Sequence, residues 1–371
     1  MNVVAAQRLP DEPARVADLV PWMQRLASKG DADAAFPKAE LEALRQAGIL
    51  AIPLPSEVRY VAGPRADRLA QTLAQIGRGN LSVGRLVEAH VNARHLIARF
   101  GTRVQRAQAM ADVQAGELFA LWVTDAPDRG LRMTRRGDRV LLEGGKMFCS
   151  GAGFATRALL TARDASGDSL MLVVMLNAGE RVCPLEAPLQ GMRAAVTGAV
   201  DFSGCSIATD CVLGTQGDYL KEPDFSAGAW RGSAVASGGL RSLVDLATDT
   251  LRSQGRVDDP HQKARLGSAM IACETSRLWV CQTARLAEDP HTDPATAVAY
   301  TGLARIAIES ACLDAIRLVQ RSLGLGAFRN GTPVERICRD LATYLRQPAP
   351  DEVLTEAAGH FAVHRLSAAP C

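Results

Sequence analysis

The feature that most constrains this 371-residue chain is a change of period along its length. Up to about residue 115 apolar residues recur at helical spacing. From about 117 to 222 they gather in short β-prone runs, and after Pro223 the helical spacing returns and persists. That order predicts an α+β multidomain chain: an N-terminal helical domain over 1–115, a middle β-barrel or sandwich domain over 116–222, and a C-terminal four- to five-helix bundle over 223–371. In the first tract, Pro37 to Gly48 has Pro near a helix start, Leu41, Leu44 and Ala47 on one face, and Gly as a stop. Two prolines, Pro53 and Pro55, prevent the helix from continuing. Helical period resumes over 66–76 and 81–100. His90 and His95 on the latter read as packing or surface histidines, since nothing adjacent makes a catalytic set.

The middle tract opens with the apolar run Leu118 to Thr124, closed by Asp125-Ala126-Pro127. β-prone segments follow at 140–148, 158–161, 170–176 and 199–207, with Gly, Asp and Asn between them. Within it, Gly144-Gly145-Lys146-Met147-Phe148-Cys149-Ser150-Gly151 ends in small residues where a core would call for bulk. On an extended chain Phe148 and Ser150 project from the same side, a pair able to hold a flat heteroaromatic ligand between a ring and a hydroxyl. The plainer reading is a strand followed by a glycine turn. The last tract carries long Ala-rich helices at 229–253, 262–286 and 293–323. In the third, Leu303, Ile306, Leu313 and Ile316 mark one buried face.

Composition narrows the function classes. The 42 basic and 40 acidic residues are interspersed, which argues against nucleic acid or a membrane surface as the main partner. No run approaches the roughly 18 apolar residues of a membrane span. Met1 to Arg8 is too short an apolar segment for a secretory signal, so a cytoplasmic location is expected. Nine cysteines without a CxxC pair and six dispersed histidines predict no metal.

Several short segments, in order, resemble the acyl-CoA dehydrogenase superfamily of flavoproteins over about 37–340. They are Pro37 to Pro55; Ala115-Gly116-Glu117 leading to Trp122-Val123-Thr124-Asp125-Ala126-Pro127; Lys146 to Ser150; Gly191-Met192-Arg193-Ala194 to Phe202; Val212-Leu213-Gly214; and Gln320 to Gly326 followed by Pro333-Val334-Glu335-Arg336 and Arg339-Asp340. The resemblance implies FAD. It implies that Trp122, Thr124, Phe148 and Ser150 line the flavin, with Phe148 where the family usually has Trp. It also implies that Arg256, Gln320, Gly324 and Gly326 meet the diphosphate and adenosine, often from a neighbouring subunit of a homotetramer or homodimer. A solvated surface charge is an equal reading of Arg256, whose surroundings do not match the family pattern.

The departures concern the reaction. The family's usual base, a Glu a few residues beyond Arg-Asp, has no counterpart: Pro348 falls there, and Trp230 precedes Arg231 at the alternative position. Asp351 and Glu352 are the candidates for a relocated base; the alternative is that they begin the last helix. The loop Asp128-Arg129-Gly130-Leu131-Arg132 lacks the family's phosphate-binding Ser, and Ser56 to Tyr60 replaces its Gly-Gly. Three readings follow. The first is an FAD-dependent dehydrogenase of a small acyl-thioester-like substrate; the second is a flavin monooxygenase on the same scaffold. The third is a base-less subunit paired with a paralogue.

Overall fold

The computed structural model describes residues 11–57 and 62–365. Met1 to Arg8 and Val58 to Tyr60, which figure in the expectations above, lie outside them, as does one of the nine cysteines, Cys371.

Five helices come first: α1 (Glu12–Ala32), α2 (Lys38–Gln46), α3 (Ala62–Gly79), α4 (Leu81–Phe100) and α5 (Arg103–Gln114). Local chemistry sets their ends. Asn80 Oδ1 accepts the Ser82 N–H at 3.0 Å to start α4, and Thr102 with Gln105 forms a capping box on α5. Ten strands follow: β1 (Phe119–Trp122), β2 (Arg132–Arg136), β3 (Arg139–Glu143), β4 (Gly145–Cys149), β5 (Arg157–Arg163), β6 (Ser169–Met175), β7 (Val182–Cys183), β8 (Gly198–Asp201), β9 (Cys205–Ala208) and β10 (Val212–Leu213). The chain closes with α6 (Trp230–Ser253), α7 (Pro260–Glu288), α8 (Pro294–Leu323), α9 (Pro333–Tyr344) and α10 (Pro350–His364). Asp259 and Asp293 cap α7 and α8, each with proline at the first helical position, the residue that gives up no needed N–H.

The strands form two sheets. Seven run in the order β10-β6-β5-β2-β3-β9, with β1 joining β5 in parallel, and three in the order β4-β8-β7. The run 140–148, expected as one strand, is therefore two. Gly144 adopts φ +99°, and a Cβ there would lie 2.6 Å from the Gly130 carbonyl oxygen. Only glycine permits that corner, and it carries the chain from the large sheet into the small one. The run 199–207 divides likewise, around Phe202 to Gly204.

The first and last helices share one hydrophobic core, with Leu73 and Ile76 of α3 meeting Val235, Leu240 and Leu243 of α6. Glycines set this crossing: a Cβ on Gly238 would stand 1.9 Å from the Ala74 carbonyl oxygen, so the helices touch backbone to backbone. A second core fills the sheets, and a third joins α4 and α5 to β1, β5 and β6. The buried face of α8 differs from expectation. Ala304, Ile308, Cys312, Ala315 and Val319 are buried with Ile316, whereas Leu313 is 39% exposed and Leu303 and Ile306 are half-buried. The small residues let α8 sit close to its neighbours, and the larger ones are left outside. Among the described residues no helix is long and apolar enough to cross a membrane.

Candidate active site

The ends of β1 and β4 meet where the two sheets join. The Met147 N–H donates to the Thr124 carbonyl at 2.9 Å, and Asp125 bridges to Lys146. Lys146, 1% exposed, holds this corner from behind. Its Nζ donates to Asp125 Oδ1 at 2.6 Å, Thr161 Oγ1 at 3.0 Å and the Val123 carbonyl at 3.1 Å. Burial lowers the ammonium's pKa, and Asp125 opposes that. Trp122 is also buried, and its indole N–H donates to the Ser150 carbonyl at 2.9 Å, fixing the chain just beyond β4.

Between these anchors the register of β4 against β8 shifts between Lys146 and Cys149. The alternation expected for Phe148 and Ser150 is broken by this irregularity. Phe148 takes φ +54° and turns its ring outward, 49% exposed. Ser150 is 6% exposed, its hydroxyl 3.5 Å from that of Thr197, a partner on the opposing chain that motif reading did not single out. The structure thus brings Trp122, Thr124, Phe148 and Ser150 together, with Thr124 and Phe148 exposed and Trp122 and Ser150 supporting them.

Arg256, Gln320, Gly324 and Gly326 form a separate group at the far end of α8. Arg256 donates to the Ser322 carbonyl at 3.0 Å, and Gly324, at φ +59°, donates its N–H to the Gln320 carbonyl. Gly324 and Gly326 are exposed there beside Leu325, at 87%, and Phe328, at 58%. Among the described residues no hydrogen bond or ion pair joins this group to the strand ends. Asp351 and Glu352 lie in the first turn of α10, which packs on α8, and both face solvent. The Pro348 carbonyl is held by Arg305.

α4 supplies the wall that motif reading missed. Its Leu86 faces the strand end: a Cβ on Gly151 would stand 3.0 Å from Leu86 Cδ2. His90 is a packing histidine, as expected. It is bonded to the Leu50 carbonyl through Nε2 and to the Phe119 N–H through Nδ1, and burial, aided by Arg94, drops its pKa to about 3. His95, by contrast, belongs to a polar network. Its Nε2 lies 2.9 Å from Asp224 Oδ1, and its Nδ1 3.1 Å from an Arg231 nitrogen. Because arginine only donates, Nδ1 accepts and Nε2 carries the proton. Arg231 also bonds Asn92 at 3.0 Å and pairs with Glu288; Asn92 donates to Glu88 at 2.6 Å; Glu88 pairs with Arg85 and meets the Tyr344 hydroxyl at 3.5 Å. Burial pushes Asp224 up, but His95 and Arg99 outweigh it and hold the carboxyl below its ordinary range. Burial, with Glu88 alongside, raises the Tyr344 phenol well above its usual value. The sequence signal was available: Arg85, Glu88, Asn92, His95 and Arg99 recur at steps of three and four, one face of the helix.

Residues 18–117 match the family described as acyl-CoA dehydrogenase, N-terminal domain. The short-chain specific acyl-CoA dehydrogenase of Bos taurus mitochondria is 26% identical over 340 residues, covering 85% of this chain and 80% of its own. Among solved structures, FMN-bound TdsC from Paenibacillus sp. A11-2 superposes with a TM-score of 0.82 at 17% identity, over 96% of this chain and 98% of that one. Butyryl-CoA dehydrogenase from Megasphaera elsdenii gives 0.81 at 16% identity, over 96% and 99%. Its helix–sheet–helix order and two joined sheets are the acyl-CoA dehydrogenase fold, and along most of its length the chain is similar to acyl-CoA dehydrogenases.

Proposed function

We propose that the chain is an FAD-dependent oxidoreductase that oxidises the CH–CH bond of a small acyl-thioester-like substrate. The observation that carries the reading is the displaced end of β4, where a strained backbone turns Phe148 outward beside exposed Thr124 on a frame pinned by Lys146 and Trp122. Strain of this kind costs about 1–3 kcal/mol and persists where the surroundings impose it, commonly at ligand sites. The residues fit a flavin: Phe148 offers an apolar wall for a flat ring system, Thr124 offers an exposed hydroxyl at its polar edge, and the buried Ser150 backs the turn between them. Bound there, a flavin supplies a hydride acceptor that side chains lack. The similarity to an acyl-CoA dehydrogenase and to an FMN-bound structure supports this reading. Arg256, Gln320, Gly324 and Gly326 would serve the adenosine end from a second copy in a homodimer or homotetramer. Their exposure beside Leu325 and Phe328 favours such a contact.

In this reading Asp351 or Glu352 would accept the substrate proton, which requires the Pro-rich turn at 347–350 to bring α10's first turn over the site. Their exposure favours a second reading, a flavin monooxygenase, which needs no such base. TdsC is itself described as a dibenzothiophene monooxygenase. The test is anaerobic mixing of the flavin-loaded protein with acyl thioesters of graded length. Bleaching, lost at least 100-fold in a D351N/E352Q variant, would support the dehydrogenase and its base. No bleaching, with reductase-dependent oxygen incorporation into substrate, would replace it with the second reading.

A further inference from the structure

The wall across from the strand ends carries charge in matched pairs. Arg85 pairs with Glu88, Arg99 with Asp224, and Arg231 with Glu288, while His95 is neutral in the tautomer that Arg231 imposes. Such a wall has no excess of either sign with which to hold an ionic ligand. It does have hydrogen-bonding capacity to spare. Arg231 Nε is buried and, among the described residues, has no partner. The Arg85 guanidinium contacts Glu88 while its side chain remains 28% exposed, and the Tyr344 hydroxyl is only weakly engaged at 3.5 Å. Gly232, at the start of α6, brings bare backbone up to two of these groups: a Cβ there would be in contact with the Tyr344 hydroxyl at 3.4 Å and with Glu88 Oε1 at 4.0 Å. Leu86, one residue from Arg85, touches the chain beside Ser150, so this wall adjoins the strand-end site.

We propose that the substrate carries a neutral, hydroxylated group that enters between α4, α6 and α9 and is read by Arg85, Glu88 and Tyr344, in place of a plain alkyl chain. This rests on the flavin site of the proposed function and specifies what that site accepts. An alkyl chain would strip water from Arg85, Glu88 and Tyr344 and return no hydrogen bond, whereas a hydroxyl can donate to Glu88 and accept from Arg85. A carboxylate or phosphate would upset the one-to-one pairing.

The experiment titrates flavin-loaded protein with matched probes and follows the perturbation of flavin absorbance. The probes are hexanoyl and 3-hydroxyhexanoyl thioesters of pantetheine, the glutaryl thioester, and methylcyclohexane against methyl glucoside. In at least one pair the hydroxylated probe is expected to act at about 100-fold lower concentration than its alkyl partner, and the glutaryl thioester to be no better than the alkyl ones. The preference should fall at least tenfold in E88L, and also in Y344F, the milder change, each checked for retained flavin. No hydroxyl preference in either pair, or a glutaryl thioester that binds as tightly as the 3-hydroxyhexanoyl one, overturns the inference. So does the absence of any response to hydroxylated probes, or a preference that survives both variants. Protein that takes up flavin and prefers alkyl probes sinks the inference alone; protein that takes up no flavin sinks the proposed function beneath it.

Discussion

Replacing Lys146 by Met tests whether the strand-end corner is held as described. Methionine keeps most of the buried stem but removes the ammonium, along with its bonds to Asp125, Thr161 and the Val123 carbonyl. The three losses differ in weight. A hydrogen bond to a charged partner contributes about 1.5–3 kcal/mol, but Asp125 is 37% exposed and can regain water, which lowers its share to about 1 kcal/mol. Thr161 Oγ1 already lies 3.4 Å from the Val123 carbonyl, so those two groups partly satisfy each other, at a cost of about 1–2 kcal/mol. The total is about 2–3 kcal/mol. Urea unfolding of the flavin-free protein should show a lower midpoint at unchanged slope. Flavin affinity should fall at least tenfold, since Thr124 and Phe148 lie on the two segments that the ammonium joins. A loss below about 1 kcal/mol with unchanged flavin affinity would refute the reasoning.

Three further outcomes follow from the same geometry. His90 has a folded pKa of about 3 against 6.5 when unfolded, so its contribution is fully present above pH 6.5 and is lost as pH falls toward 3. Between pH 6.5 and 4.5 wild-type stability should therefore fall more steeply than that of H90N, by about one proton; parallel pH profiles would contradict this. G238A should destabilise by at least about 2 kcal/mol, or prevent folding, because its Cβ meets the Ala74 carbonyl. G267A, in open space within α7, should be neutral or gain about 0.5–1 kcal/mol in the same urea assay. F148G should relieve about 1 kcal/mol of backbone strain while weakening flavin binding at least tenfold, so that stability and affinity move in opposite directions.

Much of the fold was legible because local signals agreed with tertiary structure. Asn80 and Gly101 bracket α4 as its period suggests, and the Asp-Pro pairs at 259–260 and 293–294 mark helix starts. What escaped depended on partners distant in sequence. Gly144 and Gly145 sit in a run that reads as one strand, and only the Gly130 carbonyl shows that the chain must turn there. The alternation that placed Phe148 and Ser150 on one side fails because a register shift against β8 lies between them and Lys146, and a shift belongs to the pair of strands, not to either alone. The polar stripe of α4 was visible as a period but not as a wall. A line of Arg, Glu, Asn and His on a helix ordinarily faces water, and Asp224 and Arg231, the latter held by Glu288, reverse that from 129 and 139 residues along the chain. On α8, close helix packing selects small residues for the buried face, so the larger Leu303, Ile306 and Leu313 that carry the helical period do not mark it.

The central claim is that the joined ends of β1 and β4 hold a flavin. Its most direct test is the visible absorption spectrum of the purified protein after incubation with FAD and removal of free ligand. The account predicts a yellow protein carrying close to one flavin per chain, with its bands shifted from those of free FAD by the Phe148 wall. A colourless protein that takes up no flavin would contradict it.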